Sequence, residues 1–259
     1  MKFTTQEKTV LDTLKVNTGN IFSVTYKTEK TEKKEVNVIN LHLALLPYTR
    51  YNEVYKQLTG VKPKKQVNLC AYADGCKSVC LETCGMNVFK TAINAKYRRT
   101  QLFLNHTDLF FKVVIKKIIA TSTKHPDKKI LVRLNTLSDV LWENIPVMKY
   151  NNIFDYFSTY KNVSFYDYTK YPNRNTPDNY TLMYSHNAST YKYFANMEDI
   201  FKNYKNIACV FRNKLPKTYK GYKVIDGDLS DYNTKYNKVV IGLLAKGKAK
   251  KDTSGFVLK

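Results

Sequence analysis

The sequence of 259 residues contains no uninterrupted apolar run near the roughly 20 residues that a membrane-spanning helix needs. Its first residues, MKFTTQEKTVLDTLK, lack the apolar segment of a secretory signal peptide. We therefore expect a cytoplasmic protein with no membrane partner. Thiols stay reduced in the cytoplasm, so clustered cysteines are expected to bind metal or to do chemistry rather than to form disulfides.

Acidic residues are also scarce: 21 Asp and Glu stand against 43 Lys and Arg, which gives a formal net charge of +22. Such a charge favours polyanions and predicts nucleic acid as the partner. Only six of the basic residues are arginines, however, and tyrosine is abundant, with 21 residues. An AT-rich genome over-produces Lys, Asn and Tyr, so codon bias on a solvated surface is the alternative explanation of the charge.

Cysteine is scarce as well, yet four of the five cysteines lie in the segment LCAYADGCKSVCLETCG, residues 69–85. The predicted metal ligands are Cys70, Cys76, Cys80 and Cys84. Zinc sites usually contain C-x2-C pairs, which this segment lacks. Iron–sulfur clusters accept more varied spacing because each cysteine binds a different iron. We therefore predict an iron–sulfur cluster, with zinc as the alternative metal and free thiols as the remaining interpretation.

Short apolar segments alternate with helical segments from residue 66 onward. The predicted strands are QVNLCAY, KILVRLN, NVSFYDY, YTLMYS, NIACVFR, YKVIDGD and KVVIGLL. This alternation predicts an α/β protein with parallel strands, arranged as an incomplete or irregular (β/α) barrel. Residues 21–39 resemble a β-hairpin with a charged tip. We divide the chain into an N-terminal hairpin extension, residues 1–60, and a barrel-like domain with the cysteine loop, residues 61–259.

Polar residues follow or end several of the predicted strands. The carboxyl ends of parallel strands open on one face, where active sites lie. The candidates for substrate binding are Arg133, Asn135, Tyr166, Lys170, Ser185 and Arg212. The candidates for acid–base catalysis are Asp139, Asp167 and His186. The alternatives are a helix cap for Asp139, a structural ion pair for Asp167 and a structural histidine for His186.

Two basic segments are candidates for contact with nucleic acid. Arg98 and Arg99 follow Tyr97 on a predicted helix, where they could hold a phosphate or stack on a base. The C-terminal segment contributes Lys246, Lys248 and Lys250. A solvated helix face and a solvated tail are the alternative interpretations.

Seven segments together resemble the gene-product-88 family of phage and plasmid proteins, from about residue 66 to residue 259. They are CKSVCLETCG, NAKYRRTQLFL, VRLNTLSDVLWE, SFYDYTKYPNR, YTLMYSHN, VIDGD and IGLLAKGKAKKDTSGFV. The family brings no established activity. The resemblance implies a phage or mobile-element origin, and hence the host cytoplasm. It also implies that Cys70, Cys76 and Cys80 belong to the family pattern, which favours three protein ligands and an open metal position.

The cysteine loop also resembles, more weakly, that of radical S-adenosylmethionine enzymes. Their usual spacing is C-x3-C-x2-C, whereas this loop has x5 and then x3. That resemblance implies S-adenosylmethionine as a further cofactor and radical chemistry. The alternatives to a metalloenzyme are a nucleic-acid-binding phage protein with a structural zinc site and an inhibitor of a host factor.

Overall fold

Nine short strands form one sheet in the computed structural model, which describes residues 1–23 and 26–259. The strands are β1 (Val38–His42), β2 (Lys129–Arg133), β3 (Val163–Thr169), β4 (Tyr180–Ser185), β5 (Ile207–Phe211), β6 (Thr218–Tyr219), β7 (Tyr222–Asp226), β8 (Val240–Leu244) and β9 (Val257–Leu258). Their order is β1-β2-β3-β4-β5-β8-β7-β6, with β9 beside β5. The strand pairs are parallel apart from β6 with β7. The predicted α/β class with a parallel sheet is confirmed.

The sheet is open, and the predicted barrel is not confirmed. Strand β1 lies at one edge and β6 at the other, and no pairing within the described ranges joins them. Strand β6 is a two-residue hairpin partner of β7, with Lys220 and Gly221 between them at φ 50° and 87°. An antiparallel hairpin strand ends the parallel array instead of continuing it around a ring.

Helices and loops cover both faces of the sheet. The helices are α1 (Thr5–Thr13), α2 (Tyr26–Lys34), α3 (Arg50–Thr59), α4 (Lys90–Asn105), α5 (Thr107–Lys124), α6 (Ile153–Tyr156), α7 (Thr190–Tyr193) and α8 (Met197–Asn203). Helix α5 buries Val114, Ile115 and Ile118 in the main core, on the stripe that helical spacing predicts. Among the described residues, no helix is both long and apolar enough to cross a membrane.

The predicted N-terminal hairpin is wrong. Residues 26–34 form α2, and β1 pairs in parallel with β2 as an edge of the main sheet. The segment TEKTEKKE is rich in Glu and Lys, whose helix propensity outweighs the alternation on either side. Residues 24 and 25 of the predicted hairpin lie outside the described residues, and the domain boundary at residue 60 stays a prediction.

The first strand before the cysteines is β1 rather than QVNLCAY. Residues 66–72 are irregular, because their polar backbone groups bond to other loops instead of a neighbouring strand. For example, the side chain of Asn52 on α3 accepts a hydrogen bond from the backbone N–H of Val67 at 3.0 Å. It also donates one to the backbone carbonyl oxygen of Val67 at 2.8 Å. The cysteine segment therefore belongs to the long connection between β1 and β2.

Strands β4 and β5 diverge toward their carboxyl ends. They pair at Tyr184–Ile207 and at Ser185–Ala208. Further along, β9 takes over this edge of β5. Phe256, which immediately precedes β9, packs in a small apolar cluster with residues of the cysteine segment. The end of the chain thus fills the gap between two strands at the edge where the cysteines lie.

Candidate functional site

The cysteines lie in a loop at the carboxyl ends of β1 and β2. Three 3₁₀ turns form much of this loop, at Lys77–Val79, Leu81–Thr83 and Gly85–Val88. The Leu69 N–H donates to the carbonyl oxygen of Tyr48 at 3.1 Å, and the Leu69 carbonyl accepts from the Asp139 N–H at 2.7 Å. Tyr48 follows β1 and Asp139 follows β2, so these bonds fix the start of the loop where the two strands end.

Three of the four clustered cysteines lie close enough to Lys170 to affect the pKa of its side chain. The sulfurs of Cys70, Cys76 and Cys80 all act electrostatically on its ammonium group. The Cys70 thiol also donates a hydrogen bond to the carbonyl oxygen of Leu137 at 3.5 Å. Burial raises the pKa of Cys70 and of Cys80 to about 12, so both thiols stay protonated in neutral solution.

Cys84 has a different environment. Its thiol donates to the carbonyl oxygen of Leu81 at 3.3 Å, and burial raises its pKa while Lys246 acts to lower it. Gly247 has φ +53°, and a Cβ there would lie 2.7 Å from the Cβ of Cys84, so a side chain at residue 247 would push the two segments apart. The structure thus places Cys84 against the C-terminal segment, and among the described residues it does not group the other three predicted ligands into a metal site.

The sulfurs are not arranged as a preformed site for a single ion. Within residues 1–23 and 26–259, no three side chains of His, Cys, Asp or Glu are grouped closely enough to hold one metal ion. A zinc ion would need its ligands to share one small coordination sphere. An iron–sulfur cluster uses a wider set of sulfurs, because each cysteine binds a different iron. An iron–sulfur cluster on these cysteines stays a prediction.

Lys170 connects the thiols to the strand ends. Its backbone N–H donates to Asp139 Oδ2 at 2.8 Å, and its Nζ donates to Ser185 Oγ at 3.1 Å. The Nζ atom also lies 5.8 Å from the ring centroid of Phe256. Burial acts to lower the pKa of Lys170, but the surrounding thiols and the Asp139 carboxylate outweigh burial and raise it. Lys170 and Ser185 therefore lie together, as predicted for two strand-end residues.

Arg174 holds the Asp139 carboxylate next to this group. An Arg174 NH1 atom lies 3.4 Å from Asp139 Oδ1, and its Nε and NH2 atoms donate to the two oxygens of Glu143 at 2.8 and 2.6 Å. Burial raises the pKa of Asp139 even so. The sequence analysis did not select Arg174. Arginine is rare in this chain, and its guanidinium group can bind a carboxylate through two hydrogen bonds, so each arginine was a candidate partner for an acidic residue.

Asp167 is fully enclosed in the sheet. Its Oδ1 accepts from the backbone N–H of Asn135 at 2.8 Å, and its Oδ2 accepts from the Tyr180 hydroxyl at 3.0 Å. The Nε of Arg133 lies 3.9 Å from Oδ1, and its guanidinium group lies 4.6 Å from the ring centroid of Tyr168. Burial raises the pKa of Asp167 to about 7, against the opposing effects of Arg133 and the hydrogen bonds. This carboxyl group can hold a proton at neutral pH, and its catalytic role stays a prediction.

Tyr166 belongs to a buried polar group that sequence reasoning found only in part. Its hydroxyl donates to Asn40 Oδ1 at 3.1 Å and lies 3.0 Å from His42 Nε2. His42 Nε2 lies 3.3 Å from Asp231 Oδ2. Asn40 and His42 are on β1, and Asp231 follows β7, so these residues meet only through the sheet topology. No local pattern in the sequence could have joined them.

Asn135 and His186 have local roles in the structure. The Asn135 Oδ1 accepts from Ser138 Oγ at 3.0 Å, which closes the loop after β2. His186 is buried, its ring centroid is 5.7 Å from that of Tyr191, and burial lowers its pKa to about 4. His186 immediately follows β4, and its backbone N–H donates to the carbonyl oxygen of Ala208 at 2.9 Å.

Three of the four candidate arginines bind backbone oxygens. Arg98 donates to Lys15 at 3.4 Å, and Arg99 donates to Asn20 at 2.8 Å. Burial lowers the pKa of Arg99 to about 10. Arg212 donates to two carbonyl oxygens of the C-terminal segment at 2.5 and 2.6 Å. These contacts hold the two ends of the chain in place. It stays a prediction that Arg98 and Arg99 contact nucleic acid. It also stays a prediction that Arg212 contacts a substrate.

Comparison with known protein families identifies the chain. A family model described as gene product 88 matches residues 22–259. The chain belongs to the gene product 88 family. The match confirms the resemblance and extends it toward the N-terminus, so that it includes β1. Comparisons with curated proteins and with solved structures gave no match. The resemblance of the cysteine loop to radical S-adenosylmethionine enzymes stays a prediction.

In this gene product 88 protein, positive charge lies next to the cysteine loop. Lys248 and Lys250 are exposed on the 3₁₀ turn Gly247–Lys251, and Lys246 precedes it. This turn packs against the cysteine-loop turns Lys77–Val79 and Leu81–Thr83. Lys246 Nζ also lies 2.6 Å from Asp228 Oδ1. The three predicted lysines thus flank the loop that carries the thiols.

An open cleft borders the same loop. Its volume is about 500 Å³, and it is lined by Tyr48, Glu53, Ala73, Asp74, Gly75, Lys77 and Ser78. These residues come from the segment around Cys76 and from the region that follows β1. No cysteine is among the residues that line this cleft, so the cleft and the thiols are neighbouring but separate features of the loop.

Proposed function

We propose that this gene product 88 protein holds an iron–sulfur cluster on Cys70, Cys76 and Cys80 and acts on nucleic acid or in contact with it. The observation that supports the proposal is that the loop with these three cysteines starts at the carboxyl edge of a parallel sheet, where Leu69 bonds to the backbone of Tyr48 and of Asp139. That edge is where α/β proteins bind their ligands. The separate environment of Cys84 supports three protein ligands rather than four.

The residues around the thiols would supply binding and proton handling. The open cleft lined by Gly75 and Lys77 would admit a small molecule, and Arg174 keeps the Asp139 carboxylate oriented next to the loop. Asp167, whose pKa burial raises to about 7, would exchange a proton near neutral pH. A cluster with three protein ligands leaves one iron for an external ligand, and S-adenosylmethionine bound there would make the chemistry radical.

The nucleic-acid part of the proposal is supported by charge. The chain carries a formal net charge of +22, and Lys246, Lys248 and Lys250 flank the cysteine loop. A polyanion bound by these lysines would lie next to the cleft. An inhibitor of a host factor remains the competing proposal, and it would bind a host protein in preference to DNA or RNA.

The test is metal analysis of protein purified without oxygen. We expect the wild-type protein and Cys84→Ser to be brown and to contain iron and inorganic sulfide, because Cys84 lies outside the three-thiol group. We expect Cys76→Ser to lose most of the iron. A colourless wild-type protein that contains zinc would overturn the proposal in favour of the structural zinc site. Equal iron in all three proteins would overturn the assignment of Cys76.

A further inference from the structure

The second half of the cysteine segment carries apolar side chains on the outside of the protein. Four of them lie within nine residues and form what we call the apolar loop surface: Leu81, Met86, Val88 and Phe89, each about half exposed or more. Glu82, in the same segment, is only 3% exposed and lies 3.4 Å from Arg50. Single exposed apolar residues are common, but a group of them bordered by polar residues indicates a binding surface.

Hydrogen bonds hold this segment in its unusual arrangement. The side chain of Asn87 donates to the carbonyl oxygen of Leu81 at 3.2 Å, and the buried Nζ of Lys96 on α4 donates to Asn87 Oδ1 at 3.3 Å. The backbone N–H of Phe89 donates to the carbonyl oxygen of Met86 at 3.5 Å, immediately before α4 begins. The polar side chains thus bind to the protein, and the apolar ones are left for a partner.

Exposed lysines border the apolar loop surface. Lys90 immediately follows Phe89, and the C-terminal turn with Lys248 and Lys250 packs against the turn Leu81–Thr83. Apolar groups beside positive charge fit a partner that offers flat apolar groups together with negative charge. A second copy of the chain is a poor occupant, because a net charge of +22 on each copy would bring like charges together.

We propose that the apolar loop surface binds the unpaired bases of single-stranded nucleic acid, with Phe89 as the ring on which a base stacks. This inference rests on the proposed contact with nucleic acid and names the form that is bound. Phe89 is 53% exposed, so its ring keeps contact with the protein on one side while the other side can receive a base. Bases in a duplex already stack on each other, whereas an unpaired base of any kind can stack on an aromatic ring. The lysines would hold the neighbouring phosphates.

An anionic membrane is the other partner that combines apolar groups with negative charge. Insertion into its surface buries apolar side chains by about 5 to 10 Å. Leu81, Val88 and Phe89 are each about half buried in the protein, so they lie level with its surface instead of projecting from it. This geometry suits stacking better than insertion.

The experiment compares wild type, Phe89→Ala and Tyr193→Ala. The probes are an oligothymidylate of about 15 nucleotides and a mixed-sequence duplex of similar length. Phe89→Ala should bind the single strand roughly 5- to 100-fold more weakly, the effect of losing one stacked base, and should bind the duplex as wild type does. Its salt slope should equal that of wild type, because no charge is removed. Tyr193→Ala removes a ring of similar exposure on α7 and should bind both probes as wild type does.

Phe89→Trp reports the contact directly and keeps an aromatic ring, so its affinity for the single strand should be retained. The chain has one native tryptophan, Trp142, which is fully buried, so the exposed emission comes from the introduced indole. Saturating oligothymidylate should quench this emission, and saturating duplex should not. This measurement decides the question even where Phe89→Ala fails to fold.

Three results would overturn the inference. The first is an equal loss of affinity for both probes in Phe89→Ala, and the second is unchanged affinity for both together with unquenched emission in Phe89→Trp. The third is flotation of wild type, but not of Phe89→Ala, with vesicles of phosphatidylglycerol and phosphatidylcholine, which would assign the surface to a membrane. If wild type binds neither nucleic acid, the nucleic-acid part of the proposed function fails as well, a result distinct from binding that ignores Phe89.

Discussion

Burial favours the neutral form of both Asp167 and His186, two groups proposed for acid–base catalysis. Their effects on stability run in opposite directions with pH, because one group is an acid and the other a base. The two pH ranges overlap, so each effect is separated from the other by its sign and by its own variant.

Asp167→Asn is expected to flatten the loss of stability between pH 4 and pH 7. The usual pKa of Asp is 3.8 and that of folded Asp167 is about 7, so the folded protein keeps a proton that the unfolded chain releases. Stability from this group is complete below pH 4 and is lost as pH rises to 7, by on the order of 4 kcal/mol. Urea unfolding of wild type and variant across this range measures the difference. Parallel curves would show that Asp167 is charged in the folded protein.

His186→Gln is expected to remove a loss of stability at acidic pH. The usual pKa of His is 6.5 and that of folded His186 is about 4, so the unfolded chain binds a proton that the folded protein excludes. Stability from this group falls as pH decreases from 6.5 to 4, by about 3 kcal/mol. The difference in unfolding free energy between variant and wild type should therefore change over this range. A constant difference would contradict the burial of a neutral imidazole.

The positions of these residues could be predicted in part. The strand-end pattern correctly brings Asp139, Lys170 and Ser185 to one edge of the sheet. The partners of buried groups could not be predicted, since His42 and Asp231 are remote in sequence and meet through the order of the strands. Local periodicity carries no information about such pairs.

At the scale of elements, the cysteine loop is tied to α3 and α4 by charge. Arg50 on α3 lies 3.4 Å from Glu82 in the loop and 2.7 Å from Glu53 on its own helix. The Glu82 side chain is 4% exposed, whereas that of Glu53 is 50% exposed. Lys96 of α4 donates to the carbonyl oxygen of Asn87 at 3.2 Å. The loop thus depends on a partly buried ion pair with α3 and on a hydrogen bond from a lysine of α4.

Glu82→Gln and Glu53→Gln form a matched pair, because both remove one carboxylate from Arg50. Glu82→Gln should lower the free energy of unfolding by about 2 kcal/mol and weaken iron uptake, since it leaves a partly buried cation without its loop partner. Glu53→Gln should change stability by about 0.5 kcal/mol or less, because water screens an exposed pair. Chemical unfolding and iron analysis of the two variants test this. Equal losses would mean that burial does not decide the strength of these contacts.

The elements themselves differ in how well the sequence predicts them. Helix α5 and the strands from β2 onward have apolar spacing that matches their burial. The segment at α2 contains two conflicting patterns. The alternation of apolar residues on either side of it predicts a β-hairpin, but its Glu and Lys residues favour a helix, and the helix forms. The open sheet depends on how its last strands pair, which periodicity does not encode.

For the molecule as a whole, the charge makes a prediction about nucleic acid. The triple variant Lys246→Gln, Lys248→Gln and Lys250→Gln should weaken binding of single- and double-stranded DNA or RNA. It should also reduce the slope of log affinity against log salt by roughly 0.7 to 0.9 for each phosphate that the variant no longer neutralises. Binding measured from low to moderate salt provides the slope.

The control triple changes the same charge at the opposite edge of the sheet. Lys124, Lys161 and Lys205 are exposed and precede β2, β3 and β5. Replacing these three lysines by Gln should lower the affinity for nucleic acid less than the first triple variant does. The slope of log affinity against log salt should also stay closer to that of wild type. Equal effects of the two triples would assign binding to net charge alone, as codon bias on the surface predicts.

The position of β9 has a consequence for the order of events during translation. The cysteine segment leaves the ribosome long before Phe256 and β9, which close the gap beside β5 and pack near it. In a nascent chain the thiols are therefore exposed before Phe256 and β9, which pack near them, have been synthesised. Loading of a cofactor is accordingly expected after synthesis has passed this strand, and a shortened chain that stops before it would present reactive cysteines to solvent.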